Sequence, residues 1–219
     1  MIKAIIFDMD GTILNTIDDI TDSVNYALSM KNLPEKSVDD VKQAVGSGAF
    51  QLIEKVVPAH YDEEEKKEVY QIYQEHYDQN SSNRTGPYDG ILDLLKTLKE
   101  QDYKLAVVSN KHEYLVHELN IKMFRNYFDV SIGMVEGIPI KPEPDMLLKA
   151  INLLNISKEE VIFIGDSDVD MLTARNAKIT SIGVTWGFRD RQVLVDHQAN
   201  YIIDEPTELY PIIEGINKL

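Results

Sequence analysis

The chain has no cysteine, so it can build no disulfide framework and offers no thiol as nucleophile or metal ligand. It is also short of positive charge: 22 Lys and Arg stand against 37 Asp and Glu, a formal net charge of -15. A polyanion gains little by approaching another polyanion, which disfavours nucleic acid as a partner. Long apolar runs are lacking too; nothing approaches the ~20 residues a membrane span needs, and the mean hydropathy is -0.25. The first residues show no basic segment followed by an apolar run and a small-residue cleavage site. No signal peptide is therefore expected, and the expected address is cytoplasmic. What is present, 43% hydrophobic residues in 219, suffices for one large domain or a domain plus an insert.

The most informative run is Ile5-Ile6-Phe7-Asp8-Met9-Asp10-Gly11-Thr12. Ile2 to Phe7 reads as a buried strand, so Asp8 and Asp10 fall where it runs out into solvent. Two such close carboxylates repel unless a cation neutralises them. Hard oxygen ligands suit Mg²⁺, which binds through one or two carboxylates plus a substrate phosphate. Gly11 allows a sharp turn that exposes amide N–H groups to an anion. The run by itself is also compatible with an ordinary acidic turn.

Other acids lie in runs: Asp18-Asp19 with Asp22, Asp39-Asp40, and Asp62-Glu63-Glu64-Glu65. Each opens a predicted helix, where negative charge complements the helix dipole. These are expected to be solvated helix starts rather than metal sites.

After Thr12 the periodicity is helical, with Ile17, Ile20, Val24, Ala27 and Leu28 on one face. Helices over Val38 to Val45, around Leu52, Ile53 and Val56, and from Asp62 through Tyr77 follow. Asn80 to Pro87 reads as a linker. Residues 15–82 are thus expected to form a helical insert, with 1–14 and 83–219 as the other domain. From Ile91 onward helices alternate with strands at Lys104 to Val108, Asp129 to Gly133, Val161 to Ile164 and Thr180 to Val184. A possible edge strand spans Tyr201 to Ile203. Runs such as Val161-Ile162-Phe163-Ile164 indicate strands covered on both faces, hence an α/β chain with a Rossmann-like parallel sheet.

Open parallel sheets bind ligands beyond the carboxyl ends of their strands. Asp8 and Asp10 follow the first strand. Ser109-Asn110-Lys111 follows Val108 and is expected to lead into a helix. Lys141 lies in the loop Ile140 to Pro144, and Gly165-Asp166-Ser167-Asp168-Val169-Asp170 follows Ile164. Singly, Ser109 and Asp166 could be caps and Lys141 a loop lysine. Together they bring carboxylates, a hydroxyl and a lysine to one sheet edge, the inventory for a phosphoryl group with Mg²⁺.

These residues resemble the haloacid dehalogenase superfamily, and within it phosphoglycolate phosphatase-like enzymes. Phe7-Asp8-Met9-Asp10-Gly11-Thr12 fits the first motif and Val108-Ser109-Asn110 the second. Lys141-Pro142 fits the third, and Gly165-Asp166-Ser167 with Asp170 the fourth. The insert matches the family's α-helical cap. The resemblance implies a Mg²⁺-dependent phosphatase with Asp8 as nucleophile and Asp10 as acid and then base. It implies Mg²⁺ on the Asp8 carboxylate, the Asp10 carbonyl and Asp166, with Asp170 close by or acting through water. Thr12, Ser109, Asn110 and Lys141 are implied phosphate ligands. Dehalogenases of this layout lack an acid at the position of Asp10, so an oxygen leaving group is implied. The cap is expected to close over the core, and Gly46-Ser47-Gly48 is a possible specificity loop.

The expected substrate is a small phosphomonoester, with 2-phosphoglycolate first. Pyrophosphate, sugar phosphates and nucleotides are alternatives within the same chemistry, as is sugar phosphomutation. The resemblance disfavours that last activity without excluding it, because the family's sugar phosphomutases tend to carry basic residues near that loop and here the nearest is Lys42 or Lys55. A receiver-type signalling domain phosphorylated on Asp is a remote alternative, since it would place that Asp after a later strand and lack the insert. No nucleic-acid or membrane partner is expected, and the chain is expected to be a monomer or homodimer.

Overall fold

The computed structural model describes residues 1–125 and 127–218. The chain divides into two compact units, Met1–Leu14 with Pro87–Leu219, and Asn15–Gly86. Two short strands, β2 (Leu14–Asn15) and β3 (Gly86–Pro87), carry the chain across the two boundaries.

The larger unit begins with β1 (Ala4–Phe7), every residue of which is buried. It continues through α5 (Ile91–Glu100), β4 (Lys104–His112), α6 (Glu113–Leu119), β5 (Val130–Met134) and α7 (Asp145–Leu154). β6 (Val161–Gly165), α8 (Asp168–Ala177), β7 (Thr180–Val184), α9 (Arg191–Asp196), β8 (Tyr201–Ile203) and α10 (Leu209–Asn217) complete it. The sheet order is β5-β4-β1-β6-β7-β8 with parallel neighbours.

Side chains alternate across a strand, so a strand buried on both sides feeds two cores. Ile5 and Phe7 join Leu105, Val107, Ile162 and Ile164 in one cluster, with Leu95 and Leu98 of α5 and Leu209 and Ile213 of α10. Ala4 and Ile6 join Ala106, Val108, Val161 and Phe163 in the other, with Met146, Leu147 and Ile151 of α7 and Ala174 of α8. This explains why the strand sequences are continuous apolar runs rather than alternating ones.

The expected order of elements is present, and three details differ. β4 continues to His112 rather than stopping at Val108, with a register irregularity against β5 between those residues. Ser109-Asn110-Lys111 therefore lies on the end of a strand, and α6 starts only at Glu113 with His112 at its cap. After Leu119 the helix loosens into a π-turn over Asn120–Phe124.

The smaller unit holds α1 (Ile17–Met30), α2 (Val38–Ala44), α3 (Ala49–Val56) and α4 (Glu63–Asn80). Ser37 with Asp40, and Asp62 with Glu65, form capping boxes, so those acidic runs are helix starts as expected. Asp19 is the exception. It is buried, and its carboxylate accepts hydrogen bonds from the backbone N–H of Arg84 at 2.9 Å, the backbone N–H of Thr85 at 2.8 Å and the Thr85 hydroxyl at 2.8 Å. The run Asp18-Asp19 is thus not wholly solvated, because one of its acids ties α1 to the returning chain. That tie also keeps residues 83–86 with the helices. Asp19→Ala would leave three donors short of an acceptor and is expected to cost about 3 kcal/mol by denaturant unfolding. A loss below about 1 kcal/mol would refute that account.

Candidate active site

Register puts the ends of β1 and β6 level with the middle of β4. Phe7 lies beside Val107 of β4 and Ile164 of β6, and the Asp8 N–H donates to the Ile164 carbonyl at 2.8 Å. Asp8, Ser109 and Asp166 consequently emerge together, and all three are buried.

Lys141 reaches this group from the loop after β5. Its Nζ donates to Asp8 Oδ1 at 2.6 Å and to Asp170 Oδ1 at 2.7 Å, bridging two buried carboxylates. The Lys141-Pro142 peptide is cis. The Asn110 side chain fixes the Lys141 backbone from both sides, donating to its carbonyl at 2.9 Å and accepting its N–H at 2.8 Å. Asp170 is held in turn by the capping box of α8, accepting from the Ser167 hydroxyl at 2.6 Å.

Asp166 is packed by backbone. Its Oδ2 accepts the Phe188 N–H at 2.6 Å and its Oδ1 the Thr12 hydroxyl at 3.3 Å. Gly11 has φ of +87°, and a Cβ there would stand 2.4 Å from Asp166 Oδ2. A Cβ on Gly187 would meet Asp166 Cβ at 2.3 Å. Both positions must therefore be glycine for the carboxylate to sit where it does. Trp186, to which the sequence assigns no role, donates its indole N–H to the Thr12 carbonyl at 2.9 Å. The segment after β7 thus braces the turn after β1, a contact that no spacing in the sequence announces.

Asp10 is paired with Lys111, whose Nζ lies 3.1 Å from Asp10 Oδ2, with both side chains mostly buried. The other oxygen, Asp10 Oδ1, is buried with no hydrogen-bond partner. Sequence reasoning missed this lysine; its signal was its place directly after Ser109-Asn110. Thr12 and Asn110, expected as phosphate ligands, direct their side chains to Asp166 and to the Lys141 backbone. The Thr12 hydroxyl and one N–H of the Asn110 amide are thus engaged with other site residues. Gly46, Ser47 and Gly48 belong to the helical unit, between α2 and α3, where Gly46 and Gly48 both have positive φ.

The donor set fits a metal ion. Carboxylate oxygens of Asp8, Asp166 and Asp170 all lie within 4.8 Å of one another, and hard divalent cations take such ligands. Burial drives the Asp8 carboxyl well above the usual carboxylate range; Lys141 opposes this, and Asp170, Asp166 and Asp10 add to it. Burial, then Asp170, pushes Asp166 up to about 7, against the pull of the Phe188 N–H. Burial works against the charge on Lys141, but Asp170 and Asp8 outweigh it and raise the ammonium above the ordinary lysine range. Burial, with Asp166 and Asp10 adding, also pushes up the phenol of Tyr88, which borders the site.

These shifts predict a pH dependence in the metal-free protein. Folded Asp8 and Asp166 keep their protons to higher pH than the unfolded chain does, so unfolding releases protons and stability falls as pH rises. For Asp166 the window runs from 3.8 to about 7. In EDTA the thermal midpoint is expected to drop by about 5 °C between about pH 5.5 and 8, since ~1 kcal/mol is worth roughly 2–4 °C at this size. Asp166→Asn should flatten that slope, and an unchanged slope would refute the assignment.

The haloacid dehalogenase-like hydrolase family model matches residues 5–184. The chain is 29% identical over 215 residues to pyrophosphatase PpaX of Listeria monocytogenes, covering 97% of this chain and 96% of that one. Among solved structures it is similar to a protein provisionally named phosphoglycolate phosphatase from Lactobacillus delbrueckii subsp. bulgaricus. That match has 35% identity and a TM-score of 0.90, and covers 94% and 96% of the two chains. A Haemophilus somnus protein of the same provisional name matches with 28% identity and a TM-score of 0.90 over 97% and 98%. Among the described residues no helix is long and apolar enough to cross a membrane.

Proposed function

Because this chain belongs to the haloacid dehalogenase-like hydrolase family and is a phosphatase, we propose that it hydrolyses a small phosphorylated substrate in two steps through an aspartyl-phosphate on Asp8. The observation that carries this reading is the Lys141 ammonium bridging Asp8 and Asp170, with Asp166 alongside and Asp10 two residues away. An Asp8 oxygen attacks phosphorus while the bond to the leaving oxygen breaks, and Asp10 gives that oxygen its proton. Asp10 then takes a proton from water as the water attacks phosphorus, freeing Asp8 and releasing inorganic phosphate. Splitting one slow displacement in two is what covalent catalysis contributes.

Lys141 and the Ser109 hydroxyl are the proposed ligands of the phosphoryl oxygens. Asn110 and Thr12 keep Lys141 and Asp166 in position. The Asp8, Asp166 and Asp170 carboxylates and the Asp10 carbonyl would hold Mg²⁺, which when bound supplies positive charge to the phosphoryl oxygens. Gly46, Ser47 and Gly48 remain the proposed specificity loop.

The substrate proposed first is 2-phosphoglycolate, in keeping with the provisional name of the 35%-identical structure. Pyrophosphate is the second reading, supported by the PpaX relative, which matches along nearly the whole chain. The test is phosphate release from a panel of small phosphomonoesters and pyrophosphate, in Mg²⁺ and in EDTA. Metal-dependent release concentrated on one of these two compounds is expected. Release that EDTA leaves untouched would overturn the metal reading, and no release from any compound would overturn the reaction.

A further inference from the structure

We propose that Lys111 determines specificity by reading the leaving fragment, selecting substrates whose leaving group carries an anion of its own. The second phosphoryl of pyrophosphate and the carboxylate of 2-phosphoglycolate are such anions; an alkyl alcohol has none. The inference rests on the roles given above to Asp8 and Asp10.

The site contains two mostly buried lysines on different carboxylates. Lys141 lies on Asp8 and Asp170, the side of the nucleophile. Lys111 lies on Asp10, the side of the acid, with its side chain only 6% exposed. Asp10 Oδ1 is buried without a hydrogen-bond partner and is the oxygen through which Asp10, as the acid, would reach the leaving oxygen at ordinary hydrogen-bond distance. Lys111 Nζ stands 3.1 Å from the other oxygen of that same carboxyl. The ammonium and the leaving oxygen thus flank the two oxygens of one carboxyl, with a hydrogen bond of about 2.6–3.2 Å from acid to substrate. A charged group one or two bonds beyond that oxygen, on the side facing Lys111, approaches Nζ.

The placement of Lys111 is built into the fold. β4 runs past Val108 to His112, and Ser109 Oγ accepts the Lys111 N–H at 3.2 Å, so the strand end is held where the lysine meets Asp10. Four carboxylates, Asp8, Asp10, Asp166 and Asp170, share this edge with Lys141, which lies on Asp8 and Asp170, and Arg189, which acts on Asp166; the chain carries a net -15. An additional anion on the substrate would be repelled there unless a cation faced it, and Lys111, held on Asp10, lies on the leaving side.

The test compares Lys111→Met, which keeps the apolar stem, with the wild type. Substrates are pyrophosphate and 2-phosphoglycolate on one side, and methyl and ethyl phosphate on the other. The ratio of kcat/KM for the anionic over the neutral class is expected to fall about 10- to 100-fold, the scale of one charged hydrogen bond. Lys111→Arg should keep part of the preference. An equal fall for both classes would overturn the proposal, leaving Lys111 to orient Asp10 only; so would an unchanged ratio.

Binding provides a readout independent of turnover. With Mg²⁺, the wild type is expected to bind methylenediphosphonate more tightly than methylphosphonate, and Lys111→Met to lose that preference by a similar factor. If the wild type releases phosphate from nothing, the reaction proposed above falls and the binding pair decides Lys111 alone. Loss of the preference in the variant then supports it, and a retained or absent preference overturns it.

Discussion

Asp8→Asn is expected to reduce phosphate release by at least about 10⁴-fold, the scale on which loss of a catalytic nucleophile registers, while the protein stays folded. The amide keeps the size of the carboxylate but cannot form the acyl-phosphate bond. Stability should move the other way. Burial drives the Asp8 carboxyl above its ordinary range, and Asp170, Asp166 and Asp10 add repulsion, so the charged group is a burden on the metal-free fold near neutral pH. The variant's thermal midpoint in EDTA should match or exceed that of the wild type. Acid quenching during turnover should trap a protein-bound phosphate in the wild type and none in the variant. Activity within about tenfold of the wild type would reject Asp8 as nucleophile.

Lys141→Met should damage both activity and stability. It would leave Asp8 and Asp170 buried beside each other without the ammonium that now lies 2.6 and 2.7 Å from them. Removing one partner of a buried ionic cluster costs about 3–5 kcal/mol, which in a chain of this size lowers the midpoint by about 10 °C. Turnover should fall by about 10³-fold, as when a donor aimed at transition-state charge is lost. Stability and catalysis separate in the double variant Lys141→Met/Asp170→Asn. Removing one of the two repelling charges should recover much of the midpoint, while activity stays lost. Recovery of both would show that Lys141 acts only on the fold.

Asn110 illustrates how such a site depends on atoms that sequence spacing does not reveal. Its amide appears beside Ser109, which suggests a shared phosphate. In the structure both ends of that amide clamp the backbone of Lys141 at 2.9 and 2.8 Å. Thr12 likewise directs its hydroxyl to Asp166 at 3.3 Å. Asp19, read as one of several solvated helix-start acids, is buried because three donors across 65 and 66 residues of sequence converge on it.

The sequence by itself determined the parallel sheet, its helices and the chain positions of Asp8, Asp10, Ser109, Lys141, Asp166 and Asp170. Periodicity, strand hydrophobicity and turn chemistry are local properties, and the ends of parallel strands fall on one edge by geometry alone. Only the tertiary structure decided which groups pair: Lys111 with Asp10, Lys141 across Asp8 and Asp170, Trp186 against Thr12, and Gly11 and Gly187 against Asp166. Those contacts join residues from the turn after β1, the end of β4, the loop after β5, the turn after β6 with the start of α8, and the segment after β7. A side-chain pairing between distant segments is set by strand register and packing to within an ångström, and no local pattern encodes a distance of that kind.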